Sequence, residues 1–141
     1  MTADKRAWLW PFLLAGTIIT LSGTAEIATP DVGLQFSRDK LAHFLVFGLL
    51  ATSILRVPGL RRRGWRGAAV AALITMAFGA FDEIRQSLTP GRMVEFADWL
   101  ADALGAIVAV LSYRMITFYR RTLEGPILFK RKRRTSPVPK T

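Results

Sequence analysis

Ionisable side chains cluster at helical spacing where apolar segments of this sequence begin or end. Asp39 and His43 are four residues apart, as are Asp98 and Asp102, so each pair would share one face of a helix. Carboxylates held beside an imidazole are suited to general acid–base chemistry, and basic side chains among them are suited to phosphate recognition. The candidate ligand-binding residues are Asp39, Lys40, His43, Asp82, Glu83, Gln86, Arg92, Asp98 and Asp102.

This cluster has two functional interpretations and one structural interpretation. In a binding site, Lys40 and Arg92 would contact a lipid-linked or phosphate-bearing molecule. In an enzyme, Glu83 or Asp98 would act as general base and His43 as acid. In a structural scaffold, the same groups would form a hydrogen-bond and ion-pair network that only fixes helix packing. We favour binding, because no nucleophile stands out in the sequence.

Motifs of the common soluble enzymes are absent from the sequence, which contains no GxSxG, no HExxH and no Walker phosphate loop. It also has no cysteine, which excludes a disulfide and a thiolate metal site. We therefore expect no cofactor, assign no metal site, and leave enzymatic activity and the catalytic residues open.

The cluster carries more acid than base. Its carboxylates are Asp39, Asp82, Glu83, Asp98 and Asp102, and the cations available to them are Lys40, Arg85 and Arg92. Five carboxylates against three cations leave two negative charges. A protonated His43, a protonated carboxylic acid or a bound cation would offset them, and carboxylates are the ligands that hard cations prefer.

Four apolar segments must position these residues. The chain has 141 residues, is 51% hydrophobic and contains 20 Lys and Arg, and its charges lie between apolar blocks. This pattern is typical of a membrane protein with short charged loops. We expect an all-α fold, an integral membrane four-helix bundle within residues 7–119. Its helices would span about 7–23, 39–56, 67–84 and 98–117, with 1–6 as the N-terminus and 120–141 as a basic, disordered tail.

The basic residues are divided unevenly between the two ends predicted for these helices. With both termini and the loop 56–66 on one side, that side holds 16 basic and two acidic residues, whereas the other holds four basic and eight acidic residues. By the positive-inside rule, both termini are cytoplasmic. The ionisable cluster then lies at the outer membrane–water boundary, because apolar stretches of about 15 residues are shorter than the ~20 that span a bilayer core.

The first segment and the tail each allow a second interpretation. The charged start and apolar run of residues 1–23 also match the pattern of a cleavable signal peptide. The run Lys130–Arg134 matches a nucleic-acid-binding patch, but after a fourth membrane helix attraction to anionic lipid explains it better. We expect membrane lipids and no nucleic acid as partners, and leave the oligomeric state open.

Small residues recur at four-residue spacing. Ala101, Gly105 and Ala109 follow this spacing in the last apolar segment, and Gly48 and Gly79 occupy the two segments before it. Such residues let membrane helices approach closely, so we assign them to packing.

The motifs of the cluster occur in a fixed order over roughly residues 39–110. They are Asp39-Lys40-x-x-His43-Phe44, Asp82-Glu83-x-x-Gln86, Pro90-Gly91-Arg92, and Asp98 followed by Asp102 and Gly105. Together they resemble the VanZ-like family of small bacterial membrane proteins, in which an asparagine is common where this chain has Asp102. The resemblance implies a multi-pass protein of the bacterial cytoplasmic (inner) membrane and cell envelope. The family's namesake is associated with teicoplanin resistance, and such a role here would rest on analogy.

Overall fold

The computed structural model describes residues 6–22, 38–88 and 95–124, and these are helical apart from short connections. The helices are α1 (Leu9–Ser22), α2 (Arg38–Leu55), α3 (Pro58–Arg61), α4 (Trp65–Ser87), α5 (Phe96–Met115) and α6 (Thr117–Glu124). The all-α prediction is therefore confirmed for the described part of the chain. Residues 1–5, 23–37, 89–94 and 125–141, which include most of the predicted basic tail, lie outside it.

Proline, glycine and extended residues set several of the helix boundaries. Pro58 occupies the first turn of α3, where its missing N–H is tolerated. Gly64 precedes α4 with a φ of 61°, a conformation that glycine adopts at no steric cost. Ile116 is extended and separates α5 from α6. Residues 120–124, which the sequence analysis assigned to the tail, are thus helical.

Two helices are long and apolar enough to cross a membrane, as judged by length and composition. They are α4, with 23 residues, and α5, with 20 residues, which correspond to about 35 Å and 30 Å at 1.5 Å per residue. Helix α1 and the part of α2 from Lys40 to Leu55 are apolar but shorter. Helix α4 includes the acidic pair at 82 and 83 and ends at Ser87.

The core forms where α5 packs against α2 and α4, and α1 lies against α2 and α4. At the crossing of α2 and α5, a Cβ added to Gly105 would lie 2.1 Å from the carbonyl oxygen of Phe44. Only glycine permits this approach. Gly48 lies in the same contact, because a Cβ there would meet the Gly105 carbonyl oxygen at 3.0 Å. The packing role predicted for these small residues is confirmed.

The outward faces of the helices are apolar, whereas several of the most buried side chains are polar. Phe12, Leu73 and Ile84 are among the exposed large hydrophobic residues, and Asp82 and Asp102 are each 1% exposed. So many exposed large hydrophobic residues are unusual in soluble monomers if they adjoin one another. Burial of polar groups between helices is expected where the solvent is lipid.

Contacts at the helix termini define two ends of the molecule. At the first, here called the polar end, Ser22 of α1 contacts Asp82 of α4, and Lys40 of α2 contacts Asp98 of α5. At the opposite end, here called the basic end, α3, α6 and the last turn of α5 meet. The helices therefore bring their ionisable residues to one end although those residues are distant in sequence.

Candidate functional site

Three side chains from three helices meet at the centre of the polar end. They are His43 of α2, Glu83 of α4 and Asp102 of α5, and each offers a potential ligand atom within 4.8 Å of the others. His43 Nδ1 lies 2.9 Å from Asp102 Oδ1. The imidazole ring stacks on Phe47 one turn along α2, with 6.0 Å between centroids and 5° between planes, so the ring orientation is fixed by packing. We call these three residues the central trio.

Asp102 has one carboxylate oxygen engaged and one unengaged. Its Oδ1 pairs with His43, whereas its Oδ2 is buried and has no hydrogen-bond partner among the described residues. This second oxygen faces α4 at Gly79, where an added Cβ would lie only 2.9 Å away. Glu83 is one turn further along α4. The missing side chain at 79 therefore makes room for the Asp102 carboxylate beside Glu83.

Lys40 forms the outer layer of the polar end. Its ammonium nitrogen lies 3.1 Å from both Glu95 Oε2 and Asp98 Oδ1. Asp98 is buried, whereas Glu95 is exposed. The backbone N–H of Glu95 also donates to Glu83 Oε2 at 3.3 Å, which joins the start of α5 to the end of α4. Among the described residues, the carboxylates of Glu95 and Asp98 share the single positive charge of Lys40.

Asp82 is the centre of a separate, well-paired group. Arg85 donates to its Oδ1 from Nη2 at 2.8 Å and from Nε at 3.1 Å, and Gln86 donates to its Oδ2 at 2.8 Å. Ser22, at the end of α1, lies 3.0 Å from Asp82 Oδ1 and accepts a 2.6 Å hydrogen bond from Arg85. These contacts hold α1 against α4, so Asp82 is accounted for by packing.

Seven of the nine sequence-predicted binding residues lie at the polar end. They are Lys40, His43, Asp82, Glu83, Gln86, Asp98 and Asp102. Asp39 belongs to the first turn of α2, but its side chain lies outside the described residues, as does the whole of Arg92. Their assignment to a binding or catalytic site stays a prediction.

Three contributors to this end were not among the sequence candidates. Ser22 ends an apolar segment 60 residues from its partner Asp82, and no short-range pattern reports such a pair. Glu95 was counted only as a loop charge. Trp99 donates from its indole N–H to the carbonyl oxygen of Met76 at 3.2 Å. The helical spacing of 95, 98, 99 and 102 was the available signal for the last two.

Two surface grooves in the described part of the chain are apolar, and neither contains the central trio. One follows a face of α1. The other lies between α2 and α5, and its lining includes Phe44 and Gly105 near the polar end and Ile116 and Tyr119 near the basic end. We call the second one the α2–α5 groove. It begins beside His43, because Phe44 is the next residue in the chain.

The basic end carries its own charge network. The Tyr113 hydroxyl and the Arg61 guanidinium both donate to Glu124. The hydrogen bond from Tyr113, followed by the contacts with Arg61, holds the pKa of Glu124 below its usual value. The same carboxylate raises the pKa of Arg61. Arg114 lies over the Trp65 ring, 5.3 Å from its centroid. This network fixes α6 against α3.

Comparison with known proteins gives one match. The family model described as VanZ/LLP1 matches residues 4–118 of this chain. No curated protein sequence matches it, and neither does any solved structure.

Proposed function

Since the chain belongs to the VanZ/LLP1 family, we propose that it is a multi-pass protein of the bacterial inner membrane that binds a lipid-linked or phosphate-bearing envelope molecule at its polar end. Family membership and the two apolar helices indicate a membrane protein. The proposal adds that α1, α2, α4 and α5 cross the bilayer as a four-helix bundle with both termini in the cytoplasm. The charge asymmetry of the sequence supports this orientation.

The observation that carries the binding proposal is the position of the α2–α5 groove next to the polar end. A lipid presents an apolar chain joined to a polar headgroup. The groove offers an apolar surface that starts at Phe44 and Gly105. His43 precedes Phe44 by one residue, and Asp102 precedes Gly105 by three. The His43 and Asp102 side chains pair beside the groove. A lipid with its chain in the groove would therefore place its headgroup at the polar end.

Lys40 is a cation at this end that is suited to a phosphate, and the sequence offers Arg92 as a second. Lys40 is held there by Glu95 and Asp98, and Arg92 precedes Glu95 by three residues in the sequence. Arginine and lysine both bind phosphate oxygens through charge-assisted hydrogen bonds. The carboxylates around Lys40 orient its ammonium group.

Native mass spectrometry of the intact protein released from membranes tests the proposal. We expect wild type to retain a lipid whose fragments contain phosphate. Ser112→Phe, which places a ring in the α2–α5 groove, should lose this mass, because Ser112 lines the groove. The matched control is Leu111→Phe, since Leu111 is exposed on the same helix outside the groove lining.

Two further comparisons locate the headgroup and the biological role. Arg92→Ala should weaken retention of the lipid if the headgroup is a phosphate. Equal lipid occupancy in wild type, Ser112→Phe and Leu111→Phe would contradict the proposed site. A link to teicoplanin resistance rests on the family alone, and it predicts that loss of the protein increases the susceptibility of its host to teicoplanin.

A further inference from the structure

We propose that His43, Glu83 and Asp102, the central trio, bind one divalent transition-metal ion of the Zn²⁺ or Mn²⁺ type. The geometry is the first support. Metal–nitrogen and metal–oxygen bonds of about 2.0–2.2 Å place neighbouring ligand atoms about 3–4 Å apart. The three candidate atoms already lie within 4.8 Å of one another, so small side-chain rotations complete the site.

The unengaged oxygen of Asp102 is the second, independent support. Asp102 is 1% exposed, and its Oδ2 has no hydrogen-bond partner among the described residues. A buried carboxylate oxygen without a partner carries a desolvation cost of about 1–3 kcal/mol or more. This oxygen faces α4 at Gly79, one turn before Glu83. A metal ion between the two carboxylates would supply the missing partner.

The charge balance of the described residues is the third support. The polar end holds five carboxylates, at 82, 83, 95, 98 and 102, against the cations Lys40 and Arg85. Arg85 is paired with Asp82, and Lys40 is shared between Glu95 and Asp98. Within the described ranges, Glu83 and Asp102 have no lysine or arginine ion pair. Five carboxylates against two cations leave three negative charges, and a divalent ion would balance those of Glu83 and Asp102.

The ligand set indicates the class of metal. Imidazole is a ligand for zinc and other first-row transition metals, whereas calcium sites are built from oxygen. One imidazole and two carboxylates therefore favour Zn²⁺ or Mn²⁺ over Ca²⁺. Three protein ligands also leave a coordination position for water or for another oxygen ligand.

The experiment uses the full-length protein in detergent, purified without a histidine tag and stripped of metal by a chelator. Isothermal titration with Zn²⁺, Mn²⁺ and Ca²⁺ measures stoichiometry and affinity. We expect about one Zn²⁺ or Mn²⁺ per chain and weaker binding of Ca²⁺. Glu83→Gln and Asp102→Asn should each weaken binding by at least tenfold, because each removes a charged ligand.

Glu95→Gln is the matched control. It makes the same chemical change as Glu83→Gln at the same end of the molecule, but Glu95 is exposed and contacts Lys40. We expect its affinity to stay within about twofold of wild type. An equal loss in Glu95→Gln would assign the binding to diffuse acidic surface and overturn the site.

A measurement on wild type alone covers the case in which the variants do not fold. Co²⁺ bound to imidazole and carboxylates at a low-coordinate site gives visible absorption bands that aqueous Co²⁺ lacks, and Zn²⁺ should displace them. Absence of stoichiometric binding and of these bands, or a folded Glu83→Gln protein that binds as tightly as wild type, would overturn the proposal. The probe is the metal alone, so the outcome does not depend on whether the groove binds lipid.

Discussion

The substitution Gly105→Ala tests the packing that positions the polar end. A Cβ at this position would lie 2.1 Å from the Phe44 carbonyl oxygen and within 2.9 Å of the Phe44 carbonyl carbon and Cα. Non-bonded heavy atoms attract one another at about 3.5–4.0 Å. The contact is with backbone, which no rotamer change relieves, so α2 and α5 must separate by about 1 Å.

The expected magnitude follows from two opposing terms. Overpacking a close contact costs about 1–3 kcal/mol, occasionally more, and a backbone clash belongs at the upper end. Alanine is favoured over glycine within a helix by about 1 kcal/mol. We therefore expect a net destabilisation of about 2 kcal/mol, which is about thirtyfold in the unfolding equilibrium and about 5–10 °C in Tm.

Thermal unfolding in detergent, followed by circular dichroism, measures this effect. Gly16→Ala is the matched control, because it is the same change within α1 at a position where no atom lies within 4 Å of the added Cβ. We expect Gly16→Ala to be neutral or to stabilise by up to about 1 kcal/mol. A Gly105→Ala protein as stable as wild type would refute the close approach of α2 and α5.

The same substitution reports on the central trio. Phe44 follows His43, and Gly105 lies three residues after Asp102. Separating the helices at this crossing should lengthen the 2.9 Å contact between the imidazole and the carboxylate. Gly105→Ala should therefore also weaken Zn²⁺ binding, whereas Gly16→Ala should not. Loss of stability without loss of metal affinity would mean that the trio does not depend on this crossing.

Two further predictions concern Gly79 and the basic end. Gly79→Ala should destabilise the protein by about 1 kcal/mol, which is less than the effect of Gly105→Ala. The reason is that the added Cβ meets the Asp102 side chain rather than backbone. Unchanged thermal stability would contradict this tight fit. Glu124→Gln should destabilise by about 0.2–1 kcal/mol at neutral pH, since it removes the carboxylate that accepts from Tyr113 and Arg61. Because the pKa of Glu124 is lowered in the folded protein, the contribution of Glu124 to folding stability is complete above about pH 4.5. This contribution is lost as the pH falls through the folded-state pKa. Wild type and Glu124→Gln should therefore converge in Tm at acid pH, and a constant difference would show that Glu124 acts without its charge.

The helical class was predictable because the apolar blocks are long and separated by charged, glycine- and proline-containing stretches. Helical spacing also predicted that Asp98 and Asp102 would share a face. Partner choice was not predictable, because it depends on how each helix rotates about its axis. Lys40 pairs with Glu95 and Asp98, 55 and 58 residues away. No local pattern contains that information.

Helix α6 shows a different limit of sequence reasoning. Its eight residues, Thr117–Glu124, are rich in arginine and contain no buried residue. On composition alone they are hard to distinguish from the basic tail that follows. The contacts that order them include the hydrogen bonds from Tyr113 and Arg61 to Glu124 and the packing of Tyr119 and Leu123 against the core. A short helix stabilised by such tertiary contacts carries little signal of its own, because isolated helices of this length are unstable.

The polar end contains an internal comparison that separates packing from binding. Asp82 and Asp102 are equally buried, at 1% exposure. Both oxygens of Asp82 are engaged, by Arg85 and Gln86, and a network that only fixes helix packing would satisfy its members in this way. Asp102 has one oxygen without a hydrogen-bond partner among the described residues.

Burial makes this difference costly, because a buried carboxylate oxygen without a partner has lost its hydrogen bonds to water. The two acids thus predict opposite results for the same change. Asp82→Asn should cost stability and leave metal affinity unchanged, because it weakens a complete ion pair. Asp102→Asn should lower metal affinity and cost little stability in the absence of metal, since its amide oxygen can still accept from His43 and the charge that it removes has no lysine or arginine partner among the described residues. If both variants lose only stability, packing accounts for the whole polar end.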